Sequence, residues 1–296
     1  MSYAIASLVL LLCLLVDVQA IGPIFNYSDQ VSWAANPAWT CNGSVYMRQT
    51  PINIITNNVV PSRGLINLVL TGFNQSLSGN WTNNGHGIRF NPNVTDHGIT
   101  VRTHLGLYDW AQFHFHWGPD DTVGSEQTVD GRSFSGEIHH VNFKRGGTRS
   151  DQDFINVLSV LLVSDNTIPV TGAWQELLDN VRNESQGVAS VTGIPPSVFM
   201  PQNTSYYYYP GSQTSPPCNE IVHWFVMQNT LRIPAAFLER LRVIQDFYGN
   251  PTIRNYRDTQ PIYNRQVMVR STDGAASRMG SSLGLLFLMM VAAIFL

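Results

Sequence analysis

Two histidines stand two residues apart in "QFHFHWG", residues 112–118, alternating with Phe113, Phe115 and Trp117. A strand has a side-chain period of two, so His114 and His116 share one face and the three aromatics share the other. Paired imidazoles on one face of an apolar segment either meet water or converge on something that takes two nitrogens. "GEIHHVNF", residues 136–143, offers a third: Glu137, His139 and Val141 fall on one face, and Ile138, His140 and Asn142 on the other. If this strand pairs beside 110–118, His139 joins His114 and His116, while His140 points away and is no ligand. Three neutral imidazoles with one open position are the donor set of a catalytic zinc site; a fourth protein ligand would close it. Glu137 and Gln112 are placed to accept from the second ring nitrogens of His139 and His114, fixing their tautomers. The H-x-H pattern alone is a weak signal, because half-buried histidines are commonly structural. Its weight comes from the segments around it.

The elements that must position these groups read mostly as strands: 64–73, 98–105, 110–118, 136–143, 154–163 and 220–228, separated by Gly, Pro and Asn clusters. The segment "FINVLSVLLV" (154–163) is apolar on both faces and reads as a central strand covered on both sides. Helical periodicity occurs at 173–181 and at 235–247, where Leu238, Leu241 and Ile244 form a core-facing stripe. The expected fold is a single mixed domain, dominated by sheet, with a few short peripheral helices.

Of 296 residues, 44% are hydrophobic and 12% charged, which supports a large core and argues against disorder. The net charge of −3, without a basic block, excludes nucleic acid as the expected partner. Residues 1–20 read as a secretory signal peptide: an apolar run ends in "VQA", with cleavage after Ala20, although the usual Lys or Arg is missing before the run. Cleavage would remove Cys13 and leave Cys41 and Cys218, a pair expected to form one disulfide in an oxidising compartment; two buried thiols are the alternative. N-x-S/T sequons at Asn26, Asn42, Asn74, Asn80, Asn93, Asn183 and Asn203 suggest glycosylation on surface loops. Residues 273–296 combine small residues, a polar spacer and a fourteen-residue apolar tail, the pattern of a glycolipid (GPI) anchor signal. Asp273 or Gly274 is the expected attachment site, and a single-pass helix is the alternative. These signals place the mature chain, residues 21–272, on the outer face of the plasma membrane.

"QFHFHWG", "GSEQTVDG", "GEIHHV", "RQTPINI", "NNGHGIRF", "YPGSQTSPPCNEIVHWFV" and "TQPIYNRQV" resemble, in order, the motifs of the α-class carbonic anhydrases, from about residue 27 to residue 267. The resemblance implies a zinc enzyme interconverting carbon dioxide and bicarbonate, on a large, twisted, mostly antiparallel sheet, with the metal at the base of a cone. His114, His116 and His139 match the family's ligands. Glu126 and Thr214 match its gatekeeper pair, in which the threonine hydroxyl donates to the glutamate and orients the hydroxide nucleophile. His86 matches the proton-shuttle histidine, an exposed imidazole suited to accept and donate near neutral pH, and Tyr27 and Asn84 match groups that order the intervening water. Cys41 and Cys218 match the disulfide of extracellular members.

Val141, Val157, Val222 and Trp224 match the carbon dioxide pocket, which Ser215 adjoins. Gln213 departs from the pattern, since leucine is common there. Arg89, beside the shuttle, stands where a small polar residue is usual, and its charge would depress the pKa of His86. Residues 144–153 are shorter than in cytosolic relatives, which alters one rim of the cone. Two other functions share the fold or the chemistry. Non-catalytic binding or matrix modules of this family lack one or more ligand histidines, and other zinc hydrolases, such as esterases, use the same nucleophile.

Overall fold

The alternation at 112–118 and 136–143 becomes two neighbouring strands at the centre of a large sheet. The computed structural model describes residues 25–271. The expected signal peptide with Cys13, and the anchor signal with Asp273 and Gly274, lie outside the described residues. Fifteen strands run in chain order: β1 (Asn53–Ile54), β2 (Val60–Ser62), β3 (Val69–Thr71), β4 (Leu77–Asn83), β5 (Ile88–Pro92), β6 (Thr100–Thr103), β7 (Gly106–Trp117), β8 (Thr128–Val129), β9 (Gly136–Lys144), β10 (Ile155–Asp165), β11 (Val188–Ile194), β12 (Tyr206–Gly211), β13 (Val222–Met227), β14 (Leu231–Pro234) and β15 (Met268–Arg270). Among the described residues β1 and β8 pair alone. The others form one 13-stranded twisted sheet with the central path β11-β4-β5-β7-β9-β10-β13-β12-β15-β2. Most neighbours are antiparallel, and β10 meets β13 and β14 in parallel.

The sheet divides two apolar layers. From β10, Leu158, Val160 and Leu162 enter one cluster with Phe113, Phe115, Trp117 and Ile138. Ile155, Val157 and Leu161 enter the other with Val222, Trp224 and Val226. This two-sided burial is the expectation read from 154–163. Helices occupy Gln30–Ala35, Ala173–Asn180 and Ala235–Leu241. The last is shorter than the 235–247 periodicity predicts. Ile244 is buried nonetheless, carried there by irregular backbone that retains the apolar stripe. The strand expected over 64–73 shrinks to β3, because its only ladder partner among the described residues is the four-residue β6. No helix among the described residues is long and apolar enough to cross a membrane.

Cys41 and Cys218 form a disulfide that joins positions 177 apart in sequence. They share a small cluster with Tyr27 and Trp33. Six sequons lie outside strands, but Asn80 sits within β4 rather than on a loop, and its amide donates to Asn93 Oδ1 at 3.2 Å. Asn26 and Asn203 are exposed, and the Oδ1 of each accepts from the hydroxyl of its own sequon serine at 2.8 Å.

Candidate active site

Register aligns the site in rows. Across β7, β9, β10 and β13 one row reads Gln112, Val141, Val157, Trp224, and the next reads His114, His139, Ser159, Val226. The row below pairs His116 with Glu137. Ladder partners share a face, so His114, His139 and Ser159 lie one row below Val141, Val157 and Trp224 on one side of the sheet. One potential ligand atom from each of His114, His116 and His139 lies within 4.8 Å of the others. His140 faces the opposite layer, where its Nδ1 accepts from Trp110 Nε1 at 3.3 Å and its Nε2 meets the Phe199 carbonyl at 3.2 Å.

The second nitrogens decide which atoms face inward. His114 Nδ1 meets Gln112 Oε1 at 3.0 Å, His116 Nδ1 meets the Asn255 carbonyl at 2.8 Å, and His139 Nε2 meets Glu137 Oε1 at 2.7 Å. These oxygens accept only, so those nitrogens carry the protons. His114 Nε2, His116 Nε2 and His139 Nδ1 are left with lone pairs. His116 Nε2 and His139 Nδ1 are 3.1 Å apart with no proton to share. Two tetrahedral ligands about 2.0–2.1 Å from a zinc ion lie about 3.3 Å apart. The donor set therefore fits zinc. Burial, then the neighbouring charges of His116, His139 and Arg89, holds His114 well below the usual histidine pKa. Burial, then His139, does the same for His116. Both are kept in the neutral form that ligation needs.

Glu137 is fully buried and fully used. Its Oε2 accepts from the Glu126 and Gln127 amides at 2.9 and 2.7 Å, and its Oε1 also accepts from Ser159 Oγ at 2.6 Å. Glu126 Oε1 accepts from the Arg257 amide at 2.9 Å. Burial first, then the Glu137 charge, pushes the Glu126 carboxyl well above the usual carboxylate range, and a side-chain interaction with Thr214 opposes this. Glu126 Oε2 has no partner at full hydrogen-bond geometry, so the Thr214 contact is a loose one.

A cavity of about 440 Å³ opens above the histidines. Val141, Val157, Val222, Trp224, Gln213, Thr214 and Ser215 line it, as do Tyr27, Asn84, His86 and Arg89. His86 is half-buried, not the exposed imidazole the sequence suggested. Its ring stacks on Phe25 with centroids 3.7 Å apart and meets the Phe247 edge at 4.8 Å. The turn before it needs Gly85: φ is +78°, and a Cβ would stand 2.5 Å from the Phe247 ring. Asn84 Oδ1 accepts from the His86 and Gly87 amides, both at 3.0 Å, so its oxygen shapes this turn.

Residues 28–271 match the family model for eukaryotic-type carbonic anhydrase. The chain belongs to that family. It is 34% identical over 232 residues to carbonic anhydrase 7 of Homo sapiens, spanning 74% of this chain and 87% of the relative. It is 33% identical over 254 residues to carbonic anhydrase 6 of Homo sapiens, spanning 81% and 79%. Identity to putative carbonic anhydrase 3 of Caenorhabditis elegans is 30% over 223 residues, spanning 74% and 89%. The protein is thus a carbonic anhydrase, a zinc-dependent enzyme that hydrates carbon dioxide, with half-buried His114 and buried His116 and His139 positioned for the metal.

Sequence reasoning missed three residues of this carbonic anhydrase. Asn255 supplies the His116 acceptor through its carbonyl, and its side chain accepts from the Trp117 amide at 2.7 Å and donates to the Phe115 carbonyl at 2.9 Å. Arg257 gives its amide to Glu126 and its guanidinium to Gln49 Oε1 and to the Thr50 and Cys41 carbonyls. Ser159 supports Glu137. Only Ser159 carried a signal, as a hydroxyl inside an apolar strand.

Proposed function

We propose that His114, His116 and His139 hold the zinc ion at which this carbonic anhydrase interconverts carbon dioxide and bicarbonate. The observation that carries the reading is the convergence of three unprotonated nitrogens, each with its opposite nitrogen tied to an acceptor. Zinc held there supplies a Lewis acid that makes water a nucleophile near neutral pH, behaviour for which carbonic anhydrases are the standard example. The chain's own residues do the rest. Glu137, Gln112 and the Asn255 carbonyl keep the imidazoles in the ligating tautomers. Thr214, biased by Glu126, directs the attacking oxygen toward the substrate carbon, which is a positioning effect. Val141, Val157, Val222 and Trp224 offer carbon dioxide an apolar wall. His86, next to Tyr27 and Asn84, takes the proton from the site and releases it to solvent.

The proposal extends to location. The apolar leader, the disulfide and the C-terminal apolar tail support a secreted, glycosylated chain attached to the outer membrane face by a lipid at Asp273 or Gly274. One experiment tests both parts. A phosphatidylinositol-specific phospholipase should release the enzyme from expressing cells, and released protein should contain one zinc per chain and hydrate carbon dioxide in stopped flow. His139→Ala should lose the metal and nearly all activity. Resistance to the lipase with the tail retained would refute the anchor, and a His139→Ala enzyme with zinc and activity would refute the ligand set.

A further inference from the structure

We propose that Arg89 forms an anion subsite in the wall of the active-site cavity, taking the planar carboxylate-type group of bicarbonate or of an organic monocarboxylate. Arg89 lies on β5 and is the ladder partner of His114. Ladder partners share a face with Cβ atoms about 5 Å apart, so the arginine extends the ligand row sideways. It lines the same cavity as the three histidines. Its Nε is buried without a hydrogen-bond partner. Desolvation lowers its pKa, and no carboxylate opposes this. Among the described residues the cavity lining includes a second guanidinium, Arg149, and no Asp or Glu.

A half-buried guanidinium without a counter-ion has lost hydration and gained nothing in exchange. Its planar fork of N–H donors matches two oxygens on one carbon, which a carboxylate and bicarbonate both present. Bicarbonate is the anion of the proposed reaction, and the proposal rests on that reading for this source alone. An organic acid is the other source: Phe143 and Phe154 stack at 5.3 Å on the cavity wall and offer an apolar body a shelf beside Val141.

The test is calorimetric titration of the zinc-loaded enzyme with sodium acetate and with sodium benzoate. Wild type, Arg89→Gln and Arg89→Lys are compared after thermal melts establish that each is folded. Arg89→Gln should weaken acetate binding at least fivefold, and Arg89→Lys should regain only part, because an ammonium has charge without the fork. Benzoate binding at least tenfold tighter than acetate, with the gain lost in Phe154→Ala, would assign the subsite to organic monocarboxylates. Equal binding of the two would assign it to bicarbonate. Unchanged affinities in Arg89→Gln would overturn the proposal, and full affinity in Arg89→Lys would overturn the fork. Hydration activity of the same wild-type sample is read separately, so an active enzyme with Arg89-independent binding loses the subsite and keeps the reaction.

Discussion

Gln213 brings an amide to a cavity whose neighbouring positions are Val141, Val157, Val222 and Trp224. Its Oε1 is buried and lacks a donor. An unsatisfied buried acceptor costs about 1–3 kcal/mol, and replacing it with an apolar group of similar shape recovers much of that. Gln213→Leu is expected to raise stability by about 1 kcal/mol in chemical denaturation and to lower the KM for carbon dioxide by making the wall uniformly apolar. A variant no more stable than wild type would show that an ordered water satisfies Oε1. Arg89 is the second departure at this scale, and there the polar group faces the metal row.

At the scale of elements, the β7–β9 ladder sets His114 opposite His139, but the end of β7 needs another segment to hold it. Asn255 does so with three side-chain bonds: to the Trp117 amide, the Phe115 carbonyl and the His86 carbonyl, the last at 3.2 Å. Its own carbonyl orients His116. Asn255→Ala keeps that carbonyl and removes what positions it. The expected loss is about 2–4 kcal/mol of stability, from net hydrogen-bond contributions near 1 kcal/mol each. Zinc affinity should fall about 10–100-fold, the range for partners that orient metal ligands. Competition with a calibrated chelator measures the second quantity, and unchanged zinc affinity would mean that flanking backbone suffices to place the carbonyl.

For the whole molecule, the sheet keeps its neutral histidines in two separate layers. His140 is fully buried on the side away from the cavity, and burial pushes its pKa down to about 4. His223 is likewise pushed down to about 4 by burial. The unfolded chain takes a proton near pH 6.5 that the folded chain refuses until about pH 4. Stability from these sites is therefore complete above pH 6.5 and declines as pH falls toward 4. For His140 the loss reaches roughly 3 kcal/mol at the lower end. Asp130 and Asp165 are held below the usual aspartate value by their threonine hydrogen bonds, so their contribution is lost at lower pH. Denaturant titrations at pH 7 and pH 4.5 should show this slope, and His140→Gln should flatten it. A wild-type profile flat across that interval would disprove the assignment.

The sequence by itself determined which face each strand residue takes, because a period of two depends only on neighbouring positions. That was enough to group His114 with His116, to set His139 apart from His140 and to mark 154–163 as a strand buried on both sides; the expectation of a Cys41–Cys218 disulfide came instead from the secretory signal, which leaves only that pair. The family's motifs then supplied the expectation of zinc and carbon dioxide. Tertiary structure alone decided what depends on residues far apart in the chain. It placed His139 across from His114 and turned its Nδ1 inward through Glu137. It brought the Asn255 carbonyl to His116 from 139 positions away and the Arg257 amide to Glu126 from 131 positions away. It also stacked Phe25 on His86, so a histidine expected to be exposed is half-buried. Strand periodicity is local, whereas hydrogen-bond satisfaction and burial are settled only when distant segments close over one another.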